Sequence, residues 1–577
     1  MRRSYWIFAA LVALATGCSD GRLPIEGTGT SERIANAVDE GPVPSDAEFQ
    51  FVIGLTLRAP EALHKYIGDQ PFTGDTLAPD DFAEKFALAG GEYARFVSEL
   101  RAQGLTVVAT SAGHTTVTVR ATAAQIQQVF GVEMHRYLDN QGVFVAANGY
   151  LRAAMEVVTP ISGVVCLDGE QPWISHRIVN PAPVPQAGTK CQLSAASNKG
   201  LAPADLQALY GYAAAGVAQP GSGETIVILG AGGGPTANDL GSYVNAYTLA
   251  TNVANQYHQV LVDGPNRDPG QDMDPMGEYG ENVLDAEMAF ALAPYATVQH
   301  VLTATNYPGL FTDGISKIVN DATLSKAKAV TVSYAGCERG AQGEMTVLNA
   351  LFAQAQAQGQ QWFFASGDTA TDGCRNGTGN KIITASWPSS SPYVVAVGGS
   401  SFGTTVPTTA TVTTAEQPWT DAGGAPSEAF DKPAYQTGVG TGANDNARDI
   451  PDVSAFADPN PGVCTIDSAT STTGTTFGGT GGTSAATPMM AAIWTVVHQS
   501  VHAAKGETDF TQGLATIYTI GKGVTGTNRS TQAWKDITTG SIAGPGGGAG
   551  GYAAATGFDN ASGWGTPNLA QLISVWP

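Results

Sequence analysis

The sequence predicts an α/β protein: one large parallel sheet with helices on both faces, preceded by a small α+β domain. Three observations carry this. Beyond residue 193, apolar β-branched runs alternate with Ala-rich helical stretches, the pattern of strands buried on both faces. Upstream, shorter strands and amphipathic helices are mixed. Between the two lies Asn180-Pro181-Ala182-Pro183-Val184-Pro185, which reads as an extended, exposed linker open to proteolysis.

In chain order, Arg2 and Arg3 precede an apolar run, Tyr5 to Ala15, too short to span a bilayer comfortably. It reads as a signal peptide. The run ends Leu14-Ala15-Thr16-Gly17-Cys18, similar to a bacterial lipobox, so residues 1–18 are expected to direct export and Cys18 to carry a lipid. The expected location is extracellular or in the cell envelope, with membrane contact only through that anchor. Residues 19–48 are polar and aperiodic and read as a tether. Residues 49–176 are the α+β unit. Its strands are Phe51–Leu55, Leu105–Ala109 and Thr115–Arg120, with a hairpin of Met134–Leu138 and Val143–Ala146. Its helices are Asp80–Leu88, Tyr93–Leu100 and Ala123–Phe130, the last capped by Thr122. Residues 177–192 form the linker and 193–577 the large domain. There the strands are Thr225–Leu229, Thr297–Leu302, Ala329–Tyr334, Gln361–Ala365 and Tyr393–Val397; the helices include Asn282–Leu292, Gly343–Gln358 and Ala485–Val497.

Composition narrows the function. Of 577 residues 43% are apolar, enough for a large core. Acidic residues outnumber basic ones 50 to 28, a formal charge of −22. That argues against nucleic acid, whose phosphates need clustered Lys and Arg. It suits work in acid, where carboxylates neutralise and self-repulsion falls. The six cysteines include no CxxC pair, against zinc and thioredoxin chemistry. With Cys18 lipidated, five remain, so at least one stays unpaired or is removed by processing.

Three short segments carry candidate chemistry. Gly481-Gly482-Thr483-Ser484-Ala485-Ala486-Thr487-Pro488 opens a helical pattern. Ser484 is either a helix cap or a serine placed where free N–H groups can hold an anion. In Gly280-Glu281-Asn282-Val283-Leu284-Asp285, the two carboxylates share one helix face. That face is either solvated or, if buried, a pair that titrates in two steps, one group keeping its proton. Such a glutamate can accept a serine proton at about pH 3–5, where an imidazole is already charged. Trp362-Phe363-Phe364-Ala365-Ser366-Gly367-Asp368 is a buried strand running into a turn. Asp368 is either a turn former or a ligand-facing group beyond the strand's carboxyl end.

Together these strings resemble the sedolisin (serine-carboxyl peptidase) family, in the form of a pro-kumamolisin-like precursor. The serine motif is shared with subtilases, but those need a histidine base in an HGT-type motif. None of His258, His300, His498 and His502 is followed by Gly-Thr. The resemblance covers most of the chain, including LAPDDFAEKF upstream, Trp387–Ser401 and Ile450-Pro451-Asp452-Val453-Ser454. It implies a subtilisin-like sheet after a ferredoxin-like propeptide that inhibits in cis. It implies Ser484 as nucleophile, Glu281 as base, Asp285 as the group that orients it, and Asp368 as a protonated oxyanion donor. It also implies one structural Ca2+, held by the carboxylates of Asp536 and Asp559 and the carbonyls of Ile537, Ala555 and Gly557. The function implied is an acid, self-processing endopeptidase, a monomer acting on peptides or unfolded proteins. Two departures stand out. Val227–Gly233 lacks the acidic residue with which some members extend the glutamate network, and Tyr334 replaces a tryptophan. A disulfide between Cys337 and Cys374 would brace the site if their segments are neighbours; of the other three, Cys191 with Cys464 is a further expected pairing.

Two rivals are a non-catalytic, lipid-anchored binding protein on the same fold, and a subtilase with an unusual base. Absence of self-processing at low pH would mark the first, and activity above pH 7 dependent on one histidine the second. A phosphate-loop reading of Gly230-Ala231-Gly232-Gly233-Gly234 is countered by Pro235 and by the lack of a suitably spaced acidic residue.

Overall fold

Alternation along one strand shows how the large domain is layered. In Thr225–Ala231, Ile226 and Ile228 enter one core with the helices Glu278–Leu292 and Thr483–Lys505. Val227 and Leu229 enter another with Pro308–Asn320 and Gln342–Ala357. A strand buried on both faces has no polar side, which is why it reads as a continuous apolar run. The computed structural model describes residues 22–25, 28, 32–68, 76–139, 142–167, 173–179, 191, 200–262, 278–305, 308–339, 341–374, 382–440, 445–467, 476–505, 513–523 and 528–576. The expected signal peptide, Cys18 and most of the Pro-rich linker lie outside them.

The sheet runs Tyr257–Leu261, Thr297–Thr303, Thr225–Ala231, Ala329–Val332, Gln361–Ala365, Val395–Ser401, all parallel. Gln417–Pro418 adds antiparallel, and Val453–Phe456 parallel, to the last of these. The edge strand Tyr257–Leu261 was not anticipated; its His258 and Gln259 interrupt the apolar run, as an edge position allows. The expected strand Ala329–Tyr334 divides. Ala329–Val332 stays in the sheet, while Tyr334–Cys337 turns away to pair with Ile174–Ser175 and Ser386–Trp387. Ser333, at the break, is thereby released for other bonds.

The upstream unit has a four-stranded antiparallel sheet in the spatial order Thr106–Thr110, Thr116–Thr122, Glu48–Leu55, Ile161–Val165. With helices Gly90–Ala102 and Ala123–Phe130 on one face it has the ferredoxin-like arrangement. Thr122 caps its helix, accepting from the Gln125 N–H at 3.3 Å. The other face docks on the large domain. Val52 and Val165 pack against Val347, and a Cβ on Gly54 would stand 2.4 Å from that valine's Cγ2, so only glycine permits the approach. Thr118 and Gln50 donate to Asp313 at 2.5 and 3.0 Å across this interface.

The tether reading of residues 19–48 needs correction. Val38–Pro42 pairs with Met134–Asp139, Leu23–Pro24 pairs with Arg152–Ala153, and Ile25 and Ile34 are buried. These apolar residues are too sparse to set up a local period, so only the pairing reveals them.

Both expected disulfides are present, Cys337–Cys374 and Cys191–Cys464. A further anchor is Asp452 in the Ile450–Ser454 motif. Arg448 grips it with two bonds of 2.8 and 2.6 Å, while Tyr518 and the Ala396 N–H donate to it at 2.7 Å. Both charges are fully buried. Arg448→Met is expected to cost about 3–5 kcal/mol, because it leaves an uncompensated buried carboxylate. Chemical denaturation of the full chain measures this, and a loss below about 1 kcal/mol would reject it.

Candidate active site

Ser484 is the second residue of the helix Thr483–Lys505, so it is not its cap. Its Oγ donates to Glu281 Oε2 at 2.9 Å and lies 3.2 Å from the Ser333 carbonyl oxygen. Pro488, one turn on, has no N–H for the Ser484 carbonyl. That carbonyl instead faces Ser333 Oγ at 3.3 Å.

Glu281 and Asp285 lie one turn apart on the helix Glu278–Leu292, which packs against the serine helix. Both are fully buried. Ser333 Oγ donates to Asp285 Oδ1 at 2.6 Å. Glu281 Oε1 and Asp285 Oδ2 are buried without a hydrogen-bond donor of ordinary length. Burial, then the charge of Asp285, pushes the Glu281 carboxyl well above its usual range; Ser484, Arg177 and Ser175 pull it back. Burial raises Asp285 to about 8, opposed by Ser333. A pair in this state holds a proton between its members near neutral pH.

Asp368 follows the buried strand through Gly367, whose φ of +117° requires glycine. Its Oδ1 accepts from the Thr483 N–H and Oγ1, both at 2.8 Å. The structure thus brings Glu281, Asp285, Asp368 and Ser484 to one place. The histidines are elsewhere: His300 bonds Tyr257 at 2.9 Å and burial lowers it to about 3, while His498 pairs with Glu224 at 3.0 Å.

The chain itself occupies this site. Residues 173–179 run through it as an extended segment. Ile174 and Ser175 pair antiparallel with Ala335 and Tyr334, and Ile178 and Val179 with Gly481 and Thr480. The His176 N–H donates to the Ser333 carbonyl at 3.2 Å. The Ser484 N–H donates to the His176 carbonyl at 3.3 Å. A Cβ on Gly482 would stand 1.8 Å from that carbonyl oxygen and 2.5 Å from Asp368 Oδ2, so both oxygens converge on the side of Gly482 that has no side chain. Arg177 lies against Gly280, its Nη1 1.7 Å from where a Cβ would be. The first residues of the expected exposed linker, Arg177 and Ile178, therefore lie in the cleft. Pairing with residues far along the chain overrides their loop-like sequence.

Sequence reading missed one further carboxylate. Glu278 is buried one turn before Glu281, its Oε2 3.1 Å from the Cβ position of Gly232. The loop after the first strand carries no acid, but the helix brings one to it. The spacing of Glu278, Glu281 and Asp285, three and then four residues, was visible and places all three on one face. Their charges, after burial, keep the Tyr334 hydroxyl protonated far above its ordinary range.

At the tail, Asp536 Oδ2 accepts from the Gly557 N–H at 2.9 Å and Asp559 Oδ2 from the Ala555 N–H at 2.7 Å, so both carboxylates meet the same loop. Asp536 Oδ1 is buried without a hydrogen bond. Among the described residues no donor reaches the carbonyls of Ile537, Ala555 or Gly557. Burial raises Asp536, and raises Asp559 to about 6. Among the described residues no cluster of three or more His, Cys, Asp or Glu is arranged for a metal, so any ion here must use carbonyls. Two carboxylates beside unused carbonyls are the donor set a hard cation takes.

Comparison with known proteins agrees with this architecture. Residues 35–168 match the family described as the pro-kumamolisin activation domain. The chain is 28% identical over 484 residues to kumamolisin of Bacillus sp. (strain MN-32), covering 81% of this chain and 83% of that one. It is 24% identical over 519 residues to sedolisin of Pseudomonas sp. (strain 101), covering 86% and 81%. Among solved structures, Pseudomonas sedolisin, a serine-carboxyl proteinase complexed with two molecules of pseudo-iodotyrostatin, superposes with a TM-score of 0.52. The identity there is 26%, over 65% of this chain and 97% of that one. The fold is that of a peptidase preceded by its activation domain. The chain is thus similar, over most of its length, to serine-carboxyl peptidases of the sedolisin type.

Proposed function

We propose that the chain is an exported zymogen of an acid serine-type endopeptidase, and that its first substrate is its own His176–Arg177 peptide bond. One observation carries this reading. The His176 carbonyl sits on the Ser484 N–H, in a segment paired antiparallel on both sides of the serine. Ser484 Oγ attacks that carbonyl carbon and its proton passes to Glu281 Oε2. Asp285 shares the remaining proton of the pair and, with Ser333, fixes Glu281. The oxyanion is held by the Ser484 N–H and by Asp368 Oδ2, which must carry a proton to donate. Collapse expels the amine of Arg177, which takes the proton from Glu281; water then releases the acyl group. The donor needs acid. Until cleavage the activation domain fills the cleft and inhibits. The Tyr5–Ala15 run and Cys18 support export with an anchor on the activation domain, so the processed enzyme would be released.

The test is to acidify the purified full chain to about pH 4, where ordinary carboxyl groups take up protons, and follow mass and new termini. A new N-terminus at Arg177, with peptide-cleaving activity appearing alongside, supports the reading. A stable, folded and inactive chain at that pH rejects it.

The tail loop suits one Ca2+. Asp536 and Asp559 would hold it with the carbonyls of Ile537, Ala555 and Gly557, and its charge would offset two buried carboxylates. Chelation is expected to lower the melting temperature, and Ca2+ at a hundredfold excess over its Kd to restore about 2.7 kcal/mol. Asp536→Asn should remove this dependence. Melting indifferent to chelator and Ca2+ would exclude the ion.

A further inference from the structure

The residue that enters deepest from the crossing segment is Trp173, the fourth counted back from the His176–Arg177 bond with His176 as the first. Its side chain is 1% exposed. The indole lies against Phe311, ring centres 4.9 Å apart, and meets the edge of Phe364 at 6.3 Å. Its Nε1 donates to Glu344 Oε1 at 3.0 Å, and the same oxygen accepts from Trp387 Nε1 at 2.7 Å. One wall is bare backbone: a Cβ on Gly336 would stand 3.1 Å from the indole Cδ1. Tyr334 packs on Phe311, ring centres 5.1 Å apart.

We propose that this pocket is a substrate subsite of the processed enzyme, selective for tryptophan at the fourth position before the cleaved bond, with Glu344 reading the indole N–H. The inference rests on the peptidase reading above. Its walls, Phe311, Gly336, Glu344 and Phe364, and the residues that hold them, Tyr334 and Trp387, all belong to the large domain, whereas Trp173 lies on the activation-domain side of the cut. Once that side departs, the pocket is open to the equivalent side chain of any peptide that pairs with Tyr334 and Ala335 in the same register. The aromatic walls take a large flat ring. A buried carboxyl oxygen facing the ring edge adds a preference for a ring with a donor there, since an acceptor left without its partner in a buried site is costly. Phenylalanine fills part of the space and makes no such bond, and alanine fills almost none of it.

The acid-processed enzyme should be given four peptides with Ile-Ser-His-Arg around the bond and Trp, 2-naphthylalanine, Phe or Ala at the fourth position. The Trp peptide is expected to exceed the Ala peptide in kcat/KM by about a hundredfold, from ring burial and the bond together. It should exceed the naphthylalanine peptide, equal in size but without N–H, by about tenfold. Weakening this bond with Glu344→Gln should bring the second ratio towards one, while the first keeps the part due to ring burial, about tenfold. Equal kcat/KM for all four peptides would overturn the subsite and leave Trp173 as a clamp of the precursor alone. Failure of the processed chain to cleave any of them would fall on the peptidase reading itself.

Discussion

Ser484→Ala is expected to hold the precursor at full length in acid, while the wild type loses everything before Arg177. The cut lies within one chain, so its rate in the wild type should not change on dilution. Removing Oγ leaves the cleft, the crossing segment and the Ser484 N–H in place, so the variant should fold and keep its own peptide bound. By the behaviour of serine nucleophiles in related triads, kcat on peptides should fall by about 10⁵–10⁶. Mass spectrometry of both proteins after acidification decides the matter. If the variant is cut after His176 as fast as the wild type, another protease does the cutting and Ser484 is not the nucleophile of this step.

Glu281→Gln is expected to separate activity from stability. Activity should fall by about 10²–10⁴, the usual worth of a positioned base. Stability should move the other way at neutral pH. Folded Asp285 titrates near 8 and Glu281 well above its ordinary range, the first cause in each being burial. Both groups titrate near 4 when unfolded. The folded chain therefore binds more protons than the unfolded one between these limits. The stability that goes with protonation is complete below about pH 4 and is lost as the pH rises through the folded values. Glu338, raised to about 7 by burial, adds in the same direction. Glu281→Gln removes one of these buried acids and the repulsion it exerts on its neighbour. Its melting curve should match that of Ser484→Ala near pH 4 and lie above it near pH 8. Melts of the two unprocessed variants across this range measure the difference. Parallel curves would mean that the pair is not the buried, proton-sharing unit described.

The sequence was most legible where chemistry is local. The spacing of Glu281 and Asp285 sets them on one helix face, since an α-helix returns to the same side every three to four residues. The string from Trp362 to Asp368 is a strand and turn whose period needs no partner to be read. Glu278 lies on the same face by the same spacing, three residues before Glu281, and reaches the acid-free loop after the first strand. The pairs among Cys191, Cys337, Cys374 and Cys464 were narrowed by sequence and chosen by proximity.

The sequence by itself determined the residue types of the site, their order along the chain and the helix and turn that present each of them. These depend on backbone geometry within a few residues. Only the tertiary structure decided that Trp173–Val179 crosses the site, that the His176 carbonyl meets the Ser484 N–H, and that the polar, aperiodic Val38–Pro42 pairs with Met134–Asp139. Each of those contacts joins segments far apart in sequence. The cost of closing such loops is met only when many distant groups pack together, and that leaves no periodic mark on either partner alone.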